Sequence, residues 1–127
     1  MENASYHDDS TISDDNNLWR RIHPNHIVYD NNLKSYRPSS AAFDNGSNGS
    51  PMSVILAEEN RNPSTALENY EGFSMVSLTA GLVRDCGQGI ARDPLPEEPA
   101  HALVFGEKPK SIRRRLAQAA EWIVSPH

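Results

Sequence analysis

The sequence predicts an α+β fold: a small, mostly antiparallel sheet covered by a C-terminal amphipathic helix. Three observations lead there. Several apolar runs of strand length, such as Met52–Ala57 and His101–Phe105, are separated by Gly, Pro, Asn and Asp punctuation. The segment Ile112–Val124 instead carries its apolar residues at helical spacing. Short strands followed by a terminal helix pack most simply with that helix laid over one sheet face. With 127 residues, 37% of them hydrophobic, the chain suits one domain with a modest core.

Residues 1–17 are rich in Asp, Asn, Ser and Thr and offer little to bury, so they are expected to form a disordered tail ahead of a single domain over 18–127. Leu18, Trp19, Ile22, Ile27, Val28 and Tyr29 follow as burial candidates. Pro24 interrupts them, which predicts two extended pieces, Trp19–Ile22 and His26–Tyr29, rather than one helix. Asp30-Asn31-Asn32 reads as a turn, and Lys34–Arg37 as a returning strand stopped by Pro38. Asp44–Pro51, with two Asn-Gly pairs among serines, is a loop. Met52–Ala57 is continuously apolar, as a central strand covered on both faces would be.

Asn62-Pro63 presents an N-cap residue with proline at the first helical position, so a short helix is expected over Pro63–Asn69. Phe73–Thr79 alternates like a strand, whereas the remainder up to Cys86 fits strand or helix equally. Gly87-Gln88-Gly89 reads as a hinge or turn. Asp93–Pro99 holds three prolines and three acids and is expected to be a rigid extended connection. His101–Phe105 is a strand ended by Gly106. Finally, Ser111 stands where a cap belongs, and Ile112, Leu116, Ala119, Ala120 and Ile123 form one stripe of a helix over Ile112–Val124.

The formal net charge of −5 resides in residues 1–17, leaving twelve acids balanced by twelve bases in the rest. A neutral body with an acidic tail is not the footprint of a duplex-DNA binder. No apolar stretch is long enough to span a membrane. No basic-then-apolar leader opens the sequence, and Cys86 is the only cysteine. These features point to a cytoplasmic, bacterial-type protein that needs no oxidising compartment.

Few polar groups suggest chemistry. His101, at the mouth of a strand, is the best-placed candidate general base, with His23 as a second catalytic candidate. Arg37 follows a predicted strand and could grip an anion through its planar fork, helped by Ser39 and Ser40. Arg20 completes the expected recognition surface. His23 and His26 would offer imidazole ligands, with the Asp30 carboxylate or the His101 imidazole as a further one. No second cysteine and no His-Glu-x-x-His helix completes a set, so no metal site is expected. A Cys86–His101 dyad lacks any feature that would activate the thiol. The run Lys108, Lys110, Arg113, Arg114 and Arg115 crowds the start of the last helix, against its macrodipole.

Leu18–Pro24, Arg37–Phe43 with Met52-Ser53-Val54, and Pro99–Val104 together resemble a family of small bacterial proteins of unknown function. The resemblance covers Leu18–Pro126 and implies a stand-alone domain. A second similarity is to toxin domains that degrade NAD, which would place Arg20, Arg37 and Ser53 in the site with Glu58 or Glu59 as the acid. The leading expectation is therefore a binding or accessory module, of the kind found in bacterial defence or toxin–antitoxin-like operons, with a protein partner or a small anionic ligand. The alternative is a small enzyme acting on a nucleotide or phosphorylated ligand, with a histidine base and an arginine clamp. The two readings divide on whether His23, Arg37 and His101 meet in one pocket.

Overall fold

The computed structural model describes residues 6–60 and 62–126. Proline cannot extend a ladder, and the chain accordingly leaves β1 (Asn17–Ile22) through a 3-10 turn at Pro24–His26 before resuming as β2 (Ile27–Asp30). Asp30 then folds back on its own backbone. Its Oδ1 accepts from Asn32 N at 2.8 Å and Leu33 N at 3.1 Å, which turns the chain into β3 (Ser35–Pro38). The Asn-Gly loop places Asn48 and Gly49 at positive φ, 65° and 77°, and delivers β4 (Met52–Leu56).

Two single-turn helices follow, α1 (Ala57–Asn60) and α2 (Pro63–Ala66), the second capped by Asn62. The open question over Phe73–Cys86 resolves into both elements, β5 (Ser74–Thr79) and then α3 (Ala80–Asp85). Thr79 makes the switch, because its hydroxyl accepts from Leu82 N at 3.2 Å. Thr79→Ala should cost about 1 kcal/mol in a urea titration, with Thr79→Ser recovering most of it. An unchanged midpoint would mean that sheet pairing alone ends β5.

The remaining elements are β6 (Gly89–Arg92), β7 (His101–Phe105), α4 (Lys110–Ala119) and β8 (Glu121–Val124). Six strands form one sheet in the order β6-β7-β4-β1-β5-β8, antiparallel at every pairing, while β2 and β3 form a separate hairpin. β4 is central, in line with the apolar run Val54–Leu56. Leu18, Ile22, Phe43, Ile55, Met75, Ile90 and Leu116 form the middle of the core. The α+β class and the C-terminal helix are as the sequence implies.

Several readings differ, α2 among them, which stops at Ala66 rather than Asn69. The last helix stops at Ala119, and Trp122, Glu121 and Val124 pair with β5 as β8. An aromatic and β-branched run gained more by joining the sheet than by continuing the stripe, so Ile123 is 43% exposed. Pro109, without a side-chain bond, replaces Ser111 as the N-cap. Gly87, at φ 81°, turns the chain as read, but Gly89 already begins β6, where Phe105 lies over it and a Cβ would overlap its ring. Asp93–Pro99 is not extended: Leu95 and Glu98 exchange backbone bonds of 3.1 and 3.0 Å around Pro96-Glu97, closing a β6–β7 hairpin.

The tail expectation also needs correcting. Residues 1–5 lie outside the described residues, but residues 6–17 strap the sheet edge. Ile12 is buried in the core. Asp9 N donates to Ile90 O at 2.8 Å and Asp8 Oδ1 accepts from Ile90 N at 2.9 Å, so the strap covers the outer edge of β6. Arg84 pairs with Asp8 and Asp14, and Arg92 with Asp9 and Glu59.

Candidate functional site

β1 and β4 pair only at Leu18↔Leu56 and Trp19↔Ile55. Past that point the Arg20 side chain links the two layers. Its Nε donates to Ala42 O at 3.0 Å and its Nη1 to Ser53 O at 2.9 Å. Arg21 Nε donates to Ala66 O at 2.7 Å, and its guanidinium lies 4.0 Å over the Tyr70 ring. Both arginines line an open cleft of about 810 Å3. Among the described residues neither has a carboxylate at ion-pair distance. Burial, reinforced by the Arg21 charge, pushes the Arg20 guanidinium down to about 10, still charged at neutral pH.

Three histidines, His23, His26 and His101, line the same cleft, and the hydrogen bonds of His101 and His23 give those two different chemistry. The β6–β7 hairpin sets Asp93 beside His101, whose Nδ1 lies 2.9 Å from Asp93 O and 3.1 Å from Asp93 Oδ2. Both oxygens can only accept, so Nδ1 carries the proton and Nε2 of the neutral ring is the free lone pair. His23 is the reverse. Its Nδ1 accepts from Asn25 N at 2.9 Å, capping the Pro24–His26 turn, which leaves Nε2–H as a donor. His101 is thus suited to take a proton and His23 to give a hydrogen bond.

The far side of the cleft is acidic, with Glu68, Glu97 and Glu98. Glu98 is buried, its Oε1 accepting from Asn60 Nδ2 at 2.8 Å. Tyr70, Phe73 and His23 contact edge to face, with ring centroids 5.3 and 5.1 Å apart, and supply an aromatic margin.

The expected site residues therefore divide. Arg20, His23, His101 and Ser53 share the cleft. Arg37 and Ser40 line a different groove, where Arg37 Nε pairs with Asp30 at 2.8 Å. The Ser39 hydroxyl accepts from Ala41 N at 2.9 Å and caps the Ser40–Phe43 turn. Hence Arg37 and His101 do not meet, because the β2–β3 hairpin carries Arg37 away from the main sheet. Glu59 is taken by Arg92. Cys86 is buried, its thiol pushed up by desolvation, and it lines neither the cleft nor the groove. Among the described residues no three His, Cys, Asp or Glu side chains gather as metal ligands, and no helix is long and apolar enough to cross a membrane.

Arg21, Glu98, Tyr70 and Phe73 also line the cleft, and no local sequence signal marks them. Alternation along a strand would have set Arg21 on the face opposite Arg20, and only its reach brings both to one opening. Glu98 sits in the proline-rich stretch whose hairpin geometry the sequence did not disclose. Comparison with protein-family models, with curated proteins and with solved structures returns no match to this chain.

Proposed function

We propose that this protein is a binding module whose cleft takes a small ligand bearing a phosphate or carboxylate group. Arg20 carries the reading. It is largely buried and charged, yet its only partners are two neutral carbonyls, so three of its five N–H groups have no protein acceptor among the described residues. A buried guanidinium is ordinarily matched by an anion. Here the cleft is open at that point, and Arg21 and the His23 Nε2–H donor stand beside it. Arg20 also staples β4 to the Ser40–Phe43 turn, a structural role that two of its N–H groups fulfil.

A second reading rests on the Asp93–His101 contact. A histidine whose tautomer is fixed from behind, with its lone pair free, is arranged as a general base. On that reading His101 Nε2 takes a proton from a hydroxyl or water at the bound ligand, and Arg20 faces the negative charge that develops.

The test is thermal melting with pyrophosphate and with a nucleoside monophosphate. At a hundredfold excess over Kd, binding adds about 2.7 kcal/mol and raises Tm by roughly ten degrees or more. Arg21→Ala and Arg20→Lys, which keeps the charge but loses the fork, should reduce the shift. Arg37→Ala should leave it intact, since Arg37 lies in the other groove. Absence of any shift, or its loss in Arg37→Ala alone, sinks the proposal. Turnover abolished in His101→Gln while the shift persists would favour the enzymatic reading; binding without turnover favours the module.

A further inference from the structure

We infer that the groove between the β2–β3 hairpin and the α4–β8 segment is a docking site for an extended acidic segment of a partner protein. This groove, of about 840 Å3, is separate from the Arg20 cleft, and the two share no lining residue. Its chemistry is cationic on one wall. Lys110 and Arg114 are one turn apart on the same face of α4, and neither has an ion-pair or hydrogen-bond partner among the described residues. Both sit in the first half of a helix whose N-terminus has no acid and no side-chain cap, so an external anion would relieve their repulsion by the macrodipole as well as their own. Asp30 is the one carboxylate in the lining among the described residues, and Arg37 already occupies it.

Three features select an extended chain rather than another anion. β8 is the terminal strand of the six-stranded sheet, and β3 pairs only with β2, so the groove lies between two strands that each have an edge without a strand partner. Trp122 Nε1 donates to Tyr36 O at 3.2 Å, so the β3 backbone lies within reach of a β8 side chain across this gap. The apolar content suits alternate side chains of a strand: Leu33 is 64% exposed, Tyr36 is 50% exposed, and Trp122, Ala117 and Ala120 join them. A single small patch on a chain of net charge −5 does not suit a nucleic acid, which draws its affinity from many phosphate contacts.

The experiment is fluorescence anisotropy on the full chain. The probe is a labelled ten-residue peptide alternating Glu with Val, compared with one alternating Lys with Val and with a single-stranded oligouridine. Saturable binding of the acidic peptide alone is expected, weakening with salt. The double variant Lys110→Glu/Arg114→Glu should weaken it by about tenfold or more, as an attractive pair becomes a repulsive one. That variant should melt no lower than the parent, because acids near a helix N-terminus oppose no dipole, so lost binding would not mean lost fold. N-methylation of alternate peptide amides should abolish binding if strand pairing contributes, and would leave it unchanged if charge alone acts. No binding at about 1 mM, binding indifferent to the double variant or to N-methylation, or tighter capture of the oligouridine overturns the inference.

Discussion

Ile12→Ala is expected to lower folding stability by about 2–5 kcal/mol in a urea titration, although Ile12 belongs to a stretch whose composition reads as a solvated tail. The side chain is 1% exposed and packs into the core. The more visible feature of this segment is electrostatic, with Arg84 bridging Asp8 and Asp14, and Arg92 bridging Asp9 and Glu59. Magnitude decides between the two. Asp14 is 71% exposed and Asp8 43%, and exposed pairs contribute about 0–1 kcal/mol each. Asp14→Ala should therefore change stability by less than about 1 kcal/mol, several-fold less than Ile12→Ala. The hydroxyl and amide of Thr11 hold the Asp9 carboxyl below its ordinary range, and the segment is in that sense tied from within as well as to the sheet. Removal of residues 1–13 should go further than either, because it also frees the backbone of Ile90 at the edge of β6 and invites edge-to-edge association, visible as concentration-dependent light scattering. Equal effects of Ile12→Ala and Asp14→Ala would reverse this ordering.

The same segment shows where sequence reasoning stopped. Local signals that depend on a few neighbouring residues were legible: Pro24 splitting an apolar run, Asp30 turning on its own amides, Asn62-Pro63 starting α2, and the apolar run Val54–Leu56 of β4. Signals that depend on residues far along the chain were not. The strap is held by the burial of Ile12 in a distant core and tied to Arg84 and Arg92, seventy or more positions downstream of their aspartates. Gly89 reads as a breaker until Phe105 is seen lying over it. Ile123 extends a helical stripe on paper, but β5 offers its neighbours Trp122 and Val124 a ladder. The site followed the same rule. His23 and His101 read as polar residues at strand ends, Arg20 enters through the resemblance to toxin domains, and the three do share a cleft. Arg37 also reads as a polar residue at a strand end and does not join them, because the hairpin that carries it pairs only with itself.

Below pH 10, where Arg20 stays charged in both states, Lys108 should produce the largest pH effect on stability, and its sign is opposite to that of a stabilising salt bridge. The Nζ donates to Asn45 Oδ1 at 2.5 Å, Val104 O at 2.9 Å and Gly106 O at 3.2 Å, all neutral acceptors. With the residue 7% exposed, burial pushes its ammonium down to about 8, the Arg20 charge adding to the effect and Asp44 opposing it. The unfolded chain holds the proton up to the ordinary value of 10.5. Between those two values the unfolded state binds more protons than the folded one, so stability rises with pH across about pH 8 to 10.5, by about 3 kcal/mol in all. Below pH 8 both states are protonated and the cost of the buried charge is fully present. Cys86 acts the other way in an overlapping range, because burial raises its thiol and folding is disfavoured once the unfolded thiol ionises. The parent alone would therefore mix two trends. Subtracting the curve of Lys108→Met, which keeps the stem and the Cys86 term, should isolate the lysine as a difference that climbs above pH 8. Asn45→Asp supplies the missing carboxylate at the same hydrogen bond, and should flatten the climb by keeping Nζ charged to higher pH in the folded state. A parent-minus-Met difference constant within about 0.5 kcal/mol from pH 7 to 10.5 would mean that the three oxygens solvate the ammonium as well as water does.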